Sequence, residues 1–212
     1  MKLPTTLILA SALLLAGCKF VATEKKDGGA DSSGASGPEQ QVAEMWDAKV
    51  LPYLEGKAGD FKTVSEAVRA NVEAAGVTYG NKEKQASSPW TVIVRLEGKI
   101  VAANTESRAG SIDVDADGNG TADARVQIGP VMRGTALRDS LDFVSFNQFT
   151  NQIDFAQFGK AFNIYADKTV LSKLPREALE GRSAKVLGAY TLGSGQDLPL
   201  VTPAEAEIGR KP

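Results

Sequence analysis

The sequence predicts an α+β fold: a small helical subdomain, then a β-barrel with one long helix inserted between its strands. Three observations support this. Apolar residues recur at helical spacing from Val42 to Val72. The period changes to two between Trp90 and Glu97, and again between Ser183 and Leu192. Between these β regions lies a stretch from Val126 to Phe162. It begins as a strand, turns at Gly129-Pro130 and continues as an aromatic helix, and it holds six of the eight Phe residues.

The first helix follows Pro38. Val42, Met45, Trp46 and Val50 share one face, and Pro52 is expected to end or kink it. A second helix starts at Asp60, a good N-cap, with Phe61, Val64, Val68 and Val72 on one side and Gly76 as its C′ residue. Together they make a helical subdomain over 42–87 that packs with the later long helix. Trp46 and Phe61 are read as core.

In the first β region Trp90, Val92, Val94 and Leu96 alternate with Thr91, Ile93, Arg95 and Glu97. Gly98 breaks the run, and Ile100 to Ala103 begins the second arm of a hairpin. Arg108 to Val114 and Ala124 to Ile128 are further strands. The long helix spans roughly 147–171. Ser183 to Leu192 and Leu200 to Ile208 close the sheet. Strands, helix, strands, about six strands in all, fit a partly open Greek-key barrel like the oligonucleotide/oligosaccharide-binding (OB) fold, built from 88–146 and 182–209. An open α+β sheet is the alternative.

The amino terminus indicates location. Residues 1–17 read as a signal peptide: Lys2 gives the positive start, and Leu7 to Ala16 is an apolar run too short to span a bilayer. It ends in Leu15-Ala16-Gly17-Cys18, which resembles the bacterial lipobox. Cys18 is the one Cys in the chain, so lipidation there leaves no thiol for an internal disulfide. Several acyl chains anchor stably where one is marginal. Residues 18–41 form the acylated end and a Gly/Ser-rich tether. The expected location is the periplasm, membrane-anchored through Cys18. Lys19, where Asp usually retains such proteins at the inner membrane, favours the outer membrane.

Two clusters carry candidate chemistry. Asp113, Asp115, Asp117, Asn119, Thr121 and Asp123 follow the oxygen spacing of a calcium loop. Ala124 stands where such a loop has its bidentate Glu, and Asp-Gly and Asn-Gly are turn formers in their own right. Calcium is the candidate cofactor, and no motif requires another. The second cluster is Arg133, Arg138 and Asp139 with Asn147, Asn151 and Gln152, which could orient a small polar ligand. The competing reading is ion pairing and helix capping. The chain has no His, and no Ser or acid sits in a recognisable nucleophile turn, so no enzymatic activity is expected. A formal charge of −2 and no basic cluster argue against a nucleic-acid partner.

Gly129 to Asp139 and Phe146 to Phe155, with Ser88-Pro89-Trp90 and Glu106 to Gly110, resemble a family of predicted bacterial lipoproteins, domain of unknown function 2291. The likeness covers about Trp46 to Ile208. It implies a helical subdomain plus an OB-type barrel, and an accessory role beside sugar-importing ABC transporters. It brings no catalytic residues. The expected role is a binding or accessory lipoprotein that works with sugar-transporter components. The alternative is a structural envelope protein stabilised by calcium.

Overall fold

The computed structural model describes residues 37–84, 87–193, 195 and 197–210. The signal segment, Cys18 and most of the tether lie outside the described residues.

The chain opens with α1 (Pro38–Met45), a π-helical turn (Trp46–Val50) and α2 (Leu51–Lys57). Pro52 does not end the helix, as its missing N–H had suggested. It sits in the first turn of α2, where a donor is dispensable, and the wider turn before it lets Leu51 N–H donate to the Trp46 carbonyl. A two-residue strand, β1 (Gly59–Asp60), leads into α3 (Phe61–Ala70), capped by the Asp60 carboxylate accepting from Thr63 N–H at 3.0 Å. The second predicted helix is in fact two. Asn71 turns extended, caps α4 (Val72–Tyr79) and accepts from Ala74 N–H. Gly76 therefore lies inside α4 rather than after its end, and its missing side chain leaves the space that the Trp90 ring fills.

β2 (Thr91–Asn104) runs unbroken through Gly98. Gly98 is not a break but a point of close approach, because a Cβ there would strike the Asp115 backbone. The predicted hairpin is thus one long bent strand. Its first half pairs with β5 (Ser183–Thr191) and its second half with β3 (Ser111–Asp115). β4 (Ala124–Gln127) follows, then α5 (Ala136–Asp139), a 3-10 turn (Phe146–Gln148), α6 (Gln152–Thr169), a second 3-10 turn (Leu171–Lys173), β5, and β6 (Leu200–Ile208). The long helix begins at Gln152, not 147, because Asn151 caps it.

The sheet order is β1-β2-β3-β4-β6-β5, and the β2–β5 pairing closes β2 to β6 into a five-stranded barrel. β4 and β6 pair in parallel across the intervening helix; the other barrel pairs are antiparallel. Inward-facing Val92, Val94, Leu96, Ile112, Val114, Val126 and Val186 fill the barrel, with Phe61 and Val64 of α3 and Leu171 closing it. A second core lies outside. There Ile93, Leu187, Ala189 and Ala204 on the outer strand faces meet Val42, Trp46, Leu54, Leu137, Leu141, Phe158 and Phe162. Each large side chain so buried contributes about 1.5–3 kcal/mol. Residues 42–87 consequently serve two cores: α1 and α2 join the outer one, while α3 joins the barrel. Trp46 and Phe61, both 2% exposed, are core as expected, and Trp46 packs on Phe162 and Tyr165 of α6.

Candidate functional site

α5 and α6 meet through one buried arginine. Arg138 is 7% exposed. Its Nε and Nη2 donate to Asp139 Oδ1 at 2.8 and 2.6 Å, and Nη1 donates to the Phe155 carbonyl at 2.8 Å. The guanidinium lies 3.6 Å from the centre of the Phe155 ring. Asp139 Oδ2 accepts from the Thr135 hydroxyl at 2.6 Å. α6 can approach this closely because position 159 is Gly; a Cβ there would sit 2.8 Å from Arg138 Nη1. Three of the five guanidinium N–H groups are engaged.

Beside this lock lies a cleft of about 400 Å³. Arg138 and Asp139 form part of its wall, with Asn147 from the 3-10 turn and Phe146 and Phe155 as apolar surface. The opposite wall comes from far away in sequence: Asn81, Glu83 and Thr91 before and at the start of β2, and Thr191 at the end of β5. Asn81 ties the walls together by donating to the Asp139 and Leu141 carbonyls at 2.9 and 3.2 Å. Asp142, also in the wall, hydrogen-bonds Tyr53; burial, then this bond and the carboxylate charge, push the Tyr53 phenol up to about 12. Arg138 is paired with Asp139, and Glu83, Lys84 and Asp142 bring both signs of charge to the rest of the wall; with Asn81, Thr91, Asn147 and Thr191 they set donors and acceptors beside the Phe146 and Phe155 surface, a lining suited to a polar molecule.

Of the predicted cluster, the fold brings Arg138, Asp139 and Asn147 to this cleft. The other three lie elsewhere. Asn151 caps α6, its side-chain oxygen accepting from Ile153 and Asp154 N–H at 2.8 and 3.0 Å. Gln152 is exposed at the helix start. Arg133 lines a separate trough on the barrel's outer surface. The contributions of Asn81, Glu83, Thr91 and Thr191 were missed. The Thr pair carries a strand-register signal, but no local pattern marks the loop residues.

The Asp-rich segment is the β3–β4 hairpin. Carboxylate oxygens of Asp115, Asp117 and Asp123 lie within 4.8 Å of one another. Asp115 is 4% exposed and accepts from Gly120 N–H at 2.8 Å and Gly118 N–H at 2.7 Å. These backbone donors, Gly120 first, hold its carboxyl below the usual range. Asp123 accepts from Ala116 and Asp117 N–H. The Thr121 hydroxyl donates to the Asn119 side chain. Asp113 is not in the trio; Arg125 takes both its oxygens at 2.7 Å.

A closed five-stranded barrel with a helix between its third and fourth strands defines an OB-fold protein, here clad by a helical layer. An OB-fold protein from Thermotoga maritima, known as a crystal structure, superposes with a TM-score of 0.65 over 82% of this chain and 99% of that one, at 18% identity. At that identity the likeness concerns fold alone. The pattern of a family described as "Predicted periplasmic lipoprotein (DUF2291)" matches residues 8–207, and the chain belongs to that family. Among curated proteins, none matches it. Among the described residues, no helix is long and apolar enough to cross a membrane.

Proposed function

We propose that this periplasmic lipoprotein binds an uncharged polar ligand, a small sugar, in the Arg138 cleft, and serves a sugar-uptake system as a non-catalytic accessory. Cys18 carries the anchor, and Lys19 beside it favours the outer membrane over the inner. The carrying observation is the cleft of about 400 Å³, with a locked arginine, an Asn147 side-chain amide without a partner among the described residues, and two Phe surfaces. That combination orients hydroxyl groups while an apolar face covers a ring. Titration of the mature protein with neutral mono- and disaccharides, followed by calorimetry, tests it. The expected result is saturable binding that Asn147→Ala weakens about tenfold, the scale of one lost hydrogen bond to a buried ligand. Silence across the panel, or binding indifferent to that substitution, overturns the reading.

The Asp115, Asp117 and Asp123 trio supports a second reading, a calcium-stabilised envelope protein. With Asp113 committed to Arg125 and the backbone already serving Asp115 and Asp123, such a site would be weak. A melting temperature that rises with added calcium and falls with chelator is its expected signature; indifference to both removes it.

A further inference from the structure

Away from the residues that line the cleft, the outer surface of β2, β3 and β4 carries a second hollow, a trough of about 300 Å³. Its floor is small: Ala102 and Ala103, both exposed after a register shift in β2, with Ser107, Ala109 and Ser111. Two arginines stand in it. Arg125 is held flat by its two bonds to Asp113, a pair of no net charge with spare guanidinium N–H groups. Arg133 is different. Its guanidinium makes no hydrogen bond or ion pair among the described residues.

The position of Arg133 is nevertheless fixed. Gln127, 4% exposed on β4, spends its side-chain amide on the Arg133 backbone: Arg133 N–H donates to Gln127 Oε1 at 2.7 Å, and Gln127 Nε2 donates to the Arg133 carbonyl at 3.0 Å. The same Nε2 donates to Thr202 at 2.8 Å. The segment beside it is stitched to the β2–β3 loop, with Ile128 and Gly129 N–H donating to Gly110 and Val131 N–H to Arg108. A buried side chain thus holds the backbone of an unpaired cation at the end of a groove. Preorganisation of this kind lowers the entropic cost of binding at that point.

The lining gives the chemistry of the occupant. Asp113, Arg125 and Arg133 leave one net positive charge, in a chain whose formal charge is −2. Among the described residues no aromatic side chain lines the trough, so they offer no stacking platform for nucleic-acid bases. Ser107, Ser111, Asn104 and the Asp113–Arg125 pair supply donors and acceptors suited to hydroxyl groups. We propose that this trough binds an acidic glycan, an extended polyhydroxylated chain whose oxyanion, carboxylate or phosphate, is taken by Arg133.

The mature acylated protein in nonionic detergent tests this with three probes: a hexa-uronate, a phosphorylated mannan oligosaccharide and a neutral hexaglucan. The expected result is saturable binding of at least one charged probe, weakened by salt, with the neutral probe bound about tenfold or more weakly. Whichever charged probe binds identifies the oxyanion. Arg133→Ala should remove that binding, Arg133→Lys should retain part of it, and neither should move the melting temperature or neutral-sugar binding at the cleft. Failure of both charged probes, equal binding of the neutral one that Asn147→Ala leaves unchanged, or an unaffected Arg133→Ala variant would overturn the proposal. None of these outcomes bears on the cleft, which is read out separately through Asn147→Ala.

Discussion

On the side of the barrel beneath α5 and α6, Arg138 is 7% exposed and its guanidinium is bonded to Asp139 and Phe155. On the side made by β2, β3 and β4, Arg133 is exposed and its guanidinium has no partner among the described residues. The two residues lie five positions apart in sequence and share a side-chain type. Their difference comes from what covers the barrel. Where helices cover it, a charge must be paired to be tolerated, so the arginine becomes a fastening between elements. Where none of the described helices covers it, the backbone can be fixed while the charge stays available.

The largest expected effect is on the covered side. Arg138→Ala removes the Phe155 carbonyl bond and the ring contact that join α5 to α6, together with the two bonds to Asp139 within α5, and should cost about 3 kcal/mol. For a chain of this size that is a fall in Tm of roughly 10 °C. A thermal melt within a degree or two of the parent would break the comparison. The next effect is at the hairpin tip. The Asp115 carboxyl titrates below its ordinary value, so its stabilising contribution is present above pH 3.8 and is lost as pH falls through the depressed folded value. Asp115→Asn should therefore melt lower than the parent near neutral pH, and the gap should close in acid. A gap independent of pH would mean that the Gly118 and Gly120 N–H groups are not what the charge serves.

A smaller effect belongs to the barrel interior. Tyr190 is 2% exposed, its hydroxyl has no partner among the described residues, and burial pushes its phenol up to about 12. Tyr190→Phe removes an unsatisfied polar atom and should be neutral or stabilising, within about 1 kcal/mol. A clear loss in a denaturation midpoint would reveal a bonding partner for the hydroxyl. The smallest effect is on the side made by β2, β3 and β4: Arg133→Ala should leave stability within about 0.5 kcal/mol, as for an exposed substitution, because the Gln127 clamp acts on backbone atoms.

The barrel was legible because alternation is a physical consequence of its closed wall. Val92, Val94 and Leu96 must face in, and β6 begins and ends at Leu200 and Ile208 as the pattern indicated. Gly98 misled because a glycine that ends a strand and one that admits a neighbouring backbone look alike in sequence. Pro52 misled because helix periodicity does not reveal a π turn that absorbs a missing donor. In the site, side-chain type and local spacing found Arg138, Asp139 and Asn147, but nearness in sequence also drew in Arg133, Asn151 and Gln152. Asn81 and Thr91 could not be placed there, since they reach the cleft only through the α5 contacts of the one and the β2–β5 pairing of the other.

The most direct test of two distinct polar sites is an amide chemical-shift map of the mature protein with a neutral disaccharide and, separately, a hexa-uronate. The account predicts that the disaccharide shifts amides around Thr91, Asn147 and Thr191, while the uronate shifts those of Ser107, Ser111 and Arg133. Both probes perturbing one common set of amides, or neither perturbing either set, would contradict it.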